Sequence, residues 1–221
     1  MLDNYGNYFC SELIRYLKEH QRIHFLKQIK GKKFIDISCN NRGTWALQTI
    51  ILAVTEEEEF KIIKDSLLQN DNICTLAMNN QGEHMLQKII TTFSEDRRAY
   101  IFDEIMKNFK LLATDKQAPS EGLCVMKRLI EHTKQAQNQT RIVDKIKEDC
   151  LGYVKNEFGN FVVNEVMQQF SFEMTRDIIK SIQGHFVELA QNKYSSKFIE
   201  ICIDRAPKGL QNSLIEEFLL S

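Results

Sequence analysis

The stretch Gly43-Thr44-Trp45-Ala46-Leu47-Gln48 decides how the chain is read. Its shape returns as Gly6-Asn7-Tyr8-Phe9-Cys10-Ser11, as Gly82-Glu83-His84-Met85-Leu86-Gln87 and as Gly122-Leu123-Cys124-Val125-Met126-Lys127. It returns again as Gly159-Asn160-Phe161-Val162-Val163-Asn164 and as Ser195-Ser196-Lys197-Phe198-Ile199-Glu200. A small residue leads each copy. Of the five positions after it, one and five are mostly polar, two is large or long, and three and four are apolar. The leading residues follow one another at intervals of 37, 39, 40, 37 and 36 residues. Self-similarity at such a period is the signature of a solenoid, whose core grows along one axis instead of around one centre.

Each unit reads as three segments. The first is a short apolar helix before the small residue, as in Phe34, Ile35 and Ile37, in Ile73, Cys74 and Leu76, and in Phe186, Val187 and Leu189. A polar corner follows. Three places before the small residue stand Asp3, Asn40, Asn79, Asn156 and Asn192 in five of the six units. An Asx side chain there accepts from free backbone N–H groups two or three residues on, which makes it a turn or cap device. The second segment is the motif helix. Phe9, Cys10, Leu13, Ile14 and Leu17 fall at helical spacing and predict one inward face. Ala46, Leu47, Ile50 and Ile51 do the same, as do Val162, Val163, Val166 and Met167. The third segment is an amphipathic helix, with apolar sets Phe25-Leu26-Ile29, Phe60-Ile63-Leu67, Ile101-Phe102-Ile105, Ile142-Val143-Ile146, Ile178-Ile179-Ile182 and Leu214-Ile215-Phe218. Glu56 to Glu59 reads as a solvated acidic run in a loop. Residues 114 to 120 carry Pro119 and predict a loop or shortened helix in place of the fourth corner. The expected organisation is one repeat domain over 1–221, with units near 1–30 (partial), 31–70, 71–108, 109–147, 148–183 and 184–221. Neither end shows the polar cap expected of a terminal repeat, which fits a fragment of a longer array or end-to-end pairing.

Among 221 residues, 43% are apolar, enough for a continuous core, and two prolines leave long stretches free for helix. A net charge of −1 gives no strong overall positive field to attract nucleic acid, so any basic stripe is local. The six cysteines form no C-x-x-C pair and lack histidines at zinc-finger spacing; several recur at apolar repeat positions and read as buried thiols in a reducing compartment. The N-terminus has no secretory pattern and no apolar run reaches membrane-spanning length. A cytoplasmic location is expected, with nucleus or nucleolus as the alternative. His20 and His24 lie four apart, but no glutamate or third ligand completes a metal site. No phosphate loop, nucleophile elbow or paired-carboxylate context appears, so no enzyme, metal or cofactor is expected.

Repeated on successive helices, the motif makes a ladder. Packed helices sit roughly 8–10 Å apart, a spacing at which a stretched single strand presents one base per rung. Position two offers a ring or flat cation for stacking, and positions one and five offer donors and acceptors to a base edge. At these residues the chain resembles the Pumilio/FBF (PUF) homology domain. Asn4-Tyr5-Gly6-Asn7-Tyr8 and Asn156-Glu157-Phe158-Gly159-Asn160-Phe161-Val162-Val163 are close to that family's repeat core, and Tyr194-Ser195-Ser196-Lys197-Phe198-Ile199-Glu200 is similar to its guanine-reading repeat. The resemblance covers essentially the whole chain. By order, the units look like the second to seventh of the family's eight.

The resemblance implies an all-α fold, a curved right-handed α-solenoid of about six three-helix Pumilio-type repeats. It implies sequence-selective binding of single-stranded RNA on the concave face, one base per repeat. The site residues carried over are Asn7, Tyr8 and Ser11; Thr44, Trp45 and Gln48; Glu83, His84 and Gln87; Lys127; Asn160, Phe161 and Asn164; and Ser196, Lys197 and Glu200. Ser196 with Glu200 implies guanine. Asn7 and Asn160 match only half of a uracil pair. Thr44 with Gln48 suits adenine. Leu123, Cys124 and Lys127 keep almost none of the code, and Lys127 is a candidate phosphate ligand. The implied role is regulation of messenger RNA translation or decay through its 3′ untranslated region, with effector proteins on the convex face and no small-molecule substrate or membrane. A protein-binding scaffold of the HEAT or armadillo kind explains the apolar periodicity equally well, and relatives acting on ribosomal RNA precursors fit an eroded code. Tyr8, Trp45, His84 and Phe161 at one equivalent rung separate RNA from scaffold.

Overall fold

The computed structural model describes residues 1–3, 5–116 and 119–220. Asn4 of the first repeat core and residues 117 and 118 of the polar stretch lie outside them. The described residues build a curved, right-handed α-solenoid with no strand.

Six motif helices run side by side: α1 (Gly6–Tyr16), α4 (Gly43–Ala53), α7 (Gly82–Thr92), α10 (Pro119–Glu131), α13 (Gly159–Gln169) and α16 (Ser196–Arg205). Each packs on the next in order, so they form one continuous layer. Short helices α3 (Lys32–Ser38), α6 (Asn72–Ala77), α9 (Phe109–Thr114), α12 (Cys150–Lys155) and α15 (Phe186–Ala190) enter them. On the other side lie α2 (Glu19–Ile29), α5 (Glu57–Leu67), α8 (Ala99–Lys107), α11 (Ala136–Lys147), α14 (Phe172–Lys180) and α17 (Lys208–Leu219).

Positions three and four of the motif drive this packing. Ala46, Leu47, Met85, Leu86, Val125, Met126, Val162, Val163, Phe198 and Ile199 are all buried between the layers. Burying one such large side chain stabilises the fold by about 1.5–3 kcal/mol. Edge-to-face ring pairs tie neighbouring units together: Phe60 on Tyr100 at 6.2 Å and Phe109 on Tyr153 at 5.7 Å.

Some sequence expectations are corrected. Phe9 and Leu13 do not point into the core; Phe9 is 67% exposed, because no helix among the described residues packs outside α1. Ile215 on α17 is exposed for the same reason at the opposite end. Glu56, Glu57 and Glu58 are solvated as expected, but the run is no loop: Glu56 caps α5, and Glu59 in its first turn is fully buried against Arg22. The fourth unit keeps its entry helix α9 and has the expected non-helical stretch at its corner, at Asp115 and Lys116, while its motif helix is lengthened. It starts at Pro119, a residue suited to the first helical turn because its missing N–H has no intrahelical partner there. The cysteines are all free, but only Cys150 and Cys202 are buried; Cys10, Cys39 and Cys74 are half-buried and Cys124 is exposed at position two.

Candidate nucleic-acid interface

The corner sets where each motif helix begins. Asn40 Oδ1 accepts from the backbone N–H of Arg42 and Gly43 at 2.9 and 3.0 Å. Asn79, Asn156 and Asn192 repeat the device two and three residues ahead, as does Asp3. The leading glycine then passes over the end of the entry helix. A Cβ on Gly82 would lie 2.8 Å from the Leu76 carbonyl oxygen, and one on Gly43 2.8 Å from that of Ile37. In the sixth unit Ser195 occupies this place, and its hydroxyl donates to the matching Leu189 carbonyl at 2.7 Å. Corner and close approach together fix the start of the second, third, fifth and sixth motif helices at one height, so equivalent positions line up.

Position two faces solvent in all six units. Tyr8 is 76% exposed, Trp45 66% and Phe161 50%, with His84, Cys124 and Lys197 also exposed. Large rings in water have no packing role, and on adjacent parallel helices they make a row of flat faces.

Position one is different. Asn7, Thr44, Glu83 and Asn160 are buried, because the next unit's corner covers them; the Thr44 hydroxyl donates to the Gln81 carbonyl at 3.4 Å. Asn160 turns its amide onto the carbonyls of Asn156 and Glu157. Asn7 Oδ1 and Asn164 Oδ1 are buried acceptors with no partner among the described residues. Ser196 is half-buried. Position five reaches back to position one in the first three motif helices. Ser11 donates to the Asn7 carbonyl at 3.0 Å, Gln48 to the Thr44 hydroxyl at 3.2 Å and Gln87 to the Glu83 carboxylate. Glu83 also holds His84 Nδ1 at 2.7 Å. Lys127 pairs with Glu165 of the next unit at 3.4 Å, and Lys197 with Glu200 at 2.5 Å. That carboxylate raises the affinity of Lys197 for its proton.

Two adjoining cavities open between the first four motif helices and share Trp45 as a wall. One, of about 490 Å³, lies among Tyr8, Asn7, Ser11, Arg42 and Trp45. The other, of about 400 Å³, lies among Trp45, Gln48, His84, Gln87, Lys88 and Arg128. Arg42, Lys88 and Arg128 were not singled out by sequence. A signal was present: Lys88 and Arg128 both stand one residue past position five, in consecutive units. Arg128 Nε donates to Gln87 Oε1 at 3.2 Å and its Nη1 to Glu131 at 2.8 Å. Among the described residues no group of three or more His, Cys, Asp or Glu is placed to hold a metal ion, and no helix is long and apolar enough to cross a membrane. His20 and His24 are exposed on α2.

A model of the Pumilio-family RNA-binding repeat (PUF) matches residues 72–106, 122–147 and 185–219. Over 99% of its length the chain is 33% identical to a Pumilio domain-containing protein of Schizosaccharomyces pombe, covering 31% of that protein. It is 28% identical to Pumilio homolog 12 of Arabidopsis thaliana, covering 36% of it. The chain thus spans about a third of the length of these curated relatives. Among solved structures, the Puf4 RNA-binding domain bound to a recognition sequence from the HO endonuclease RNA 3′ UTR superposes with a TM-score of 0.86 at 27% identity, over 99% of this chain and 66% of that one. The RNA-binding domain of yeast Puf5p bound to MFA2 RNA gives 0.82 at 25% identity, over 99% and 63%.

Proposed function

The chain belongs to the Pumilio family of RNA-binding repeat proteins, and on that premise we propose that it binds single-stranded RNA along the layer of motif helices, one base to a rung. One observation carries the reading: Tyr8, Trp45, His84 and Phe161 stand exposed at one equivalent rung of neighbouring helices. A stacked base contributes about 1–3 kcal/mol and every base offers a face, so such a row grips a strand without needing a strong positive field. The net charge of −1 is compatible with that division of labour. The strand belongs to messenger RNA, in its 3′ untranslated region, and the protein acts in the cytoplasm on translation or decay through effectors held on the outer helices. Two structural relatives that carry RNA in the same fold support the choice of ligand.

The test is titration of a fluorescent G- and U-rich RNA against the protein and the double variant Tyr8→Ala, Trp45→Ala. Affinity lower by at least tenfold in the variant is expected. Equal affinity, or no binding by either, points to a protein-binding scaffold instead.

A further inference from the structure

Positive charge on the motif face is unevenly spent. Toward the C-terminus two cations of the motif positions have a carboxylate: Lys127 has Glu165, and Lys197 has Glu200. Around Trp45 the situation reverses. The two cavities that share this ring are lined by Arg42, Lys88 and Arg128, and by no carboxylate. Among the described residues neither Arg42 nor Lys88 has an acidic partner. Arg128 gives one nitrogen to Gln87 and one to Glu131, which leaves Nη2 free. The nearest acid of the third unit, Glu83, is consumed by His84 and Gln87.

We propose that Lys88 and Arg128, with Arg42 across Trp45, form a phosphate-binding position for the backbone of the strand whose base stacks on Trp45. This rests on the RNA-binding function proposed above. The α7 and α10 helices are packed neighbours, so their equivalent cations act on one stretch of backbone. Lysine serves as a point charge, while Arg128 is oriented by its bond to Gln87 and presents its remaining N–H groups in a fixed direction. The same bond engages the Gln87 carbonyl oxygen, and Glu83 engages its amide nitrogen. The third rung therefore contributes charge more than base reading.

Each phosphate contact on a single strand contributes about 0.7 to the slope of log affinity against log salt. Three contacts give a slope near 2, so a tenfold rise in salt lowers affinity roughly 100-fold. Lys88→Gln should reduce the slope by about 0.7 and leave the ranking of base variants unaltered. Arg128→Lys, which keeps the charge and loses the Gln87 bond, should retain the slope. Lys145→Gln on the outer helix α11 controls for net charge and should change nothing. A wild-type slope preserved in Lys88→Gln, or lowered equally by Lys145→Gln, overturns the phosphate position while RNA binding stands. Absence of RNA binding by the wild type at every salt concentration overturns both.

Discussion

Arg22 and Glu59 occupy the same register in adjacent units, each sixteen residues past its leading glycine, and they meet in a buried two-pronged ion pair. Arg22 Nε lies 2.7 Å from Glu59 Oε1 and its Nη2 3.2 Å from Oε2. Arg22 further donates to the Leu17 carbonyl and the Thr55 hydroxyl, and Glu59 accepts from the backbone N–H of Thr55 and Glu56. One carboxylate thus caps its own helix and clamps the preceding unit.

Removing either partner leaves a buried charge without its mate. Arg22→Ala or Glu59→Gln is expected to cost about 3–5 kcal/mol in chemical denaturation, whereas Arg22→Met with Glu59→Leu should cost much less than the sum. Burial alone would raise the Glu59 carboxyl; hydrogen bonds from Arg22 and from the Glu56 and Thr55 backbone outweigh it and hold the group below its ordinary value of 4.5. With the folded value below the unfolded one, this stabilisation is complete above pH 4.5 and is lost as pH falls through the folded value. Stability measured against pH should therefore decline on the acid side, and Glu59→Gln should flatten that decline. A decline of unchanged steepness in the variant assigns it to other carboxylates.

The leading glycine gives a second expectation. Gly82→Ala drives a methyl to 2.8 Å from both the Leu76 carbonyl oxygen and Leu76 Cδ2. Backbone on one side and a packed helix on the other leave little room to yield, so about 1–3 kcal/mol should be lost. Gly209→Ala on α17 meets nothing within 4 Å and should be neutral or stabilising by up to about 1 kcal/mol. Thermal melts of the two variants decide; similar losses in both would sink the close-approach explanation.

What was legible in the sequence was local. Asn40 caps two N–H groups within three residues of itself, and Leu47 and Ile51 share a face because a helix puts them there, so spacing alone reveals both. What spacing could not reveal was set across units. Glu59 looked like one acid among four because its partner lies 37 residues earlier. Lys127 looked free because Glu165 belongs to the next unit. Thr44 looked like part of an open edge because the corner that covers it at Gln81 is 37 residues on. Phe9 looked inward because periodicity reports which residues share a face, not whether anything packs on it. The outward row at position two was legible because an exposed ring interrupts an otherwise regular apolar pattern.

That row has a gap at Cys124, exposed at position two of the fourth unit where other units carry a ring, a histidine or a lysine. A thiol has no flat face. Cys124→Tyr should therefore tighten RNA binding by up to about 1–3 kcal/mol, the value of one stacked base, and leave folding stability unaltered. Phe161→Ala should lose a similar amount on the next helix. Affinity unmoved by both changes, measured on the same oligonucleotide, would show that bases do not stack along this row.

Guanine selection at the sixth rung is the most specific expectation. Ser196 and Glu200 stand one turn apart on α16, and the Glu200 carboxylate is exposed, held among the described residues by Lys197 at 2.5 Å. An exposed ion pair of this kind contributes little, so a guanine offering two N–H donors can take the carboxylate from the lysine at small cost. Glu200→Gln replaces a two-oxygen acceptor with an amide that presents one donor where guanine presents another. Preference for G over A at the matching base should fall by about 1–3 kcal/mol, while affinity for a strand carrying A there changes little. Lys197→Ala frees the carboxylate and should preserve the preference, which separates base reading from a general loss of charge. Competition titrations with the two oligonucleotides measure all three proteins, and a G preference that survives Glu200→Gln rules this carboxylate out as the reader.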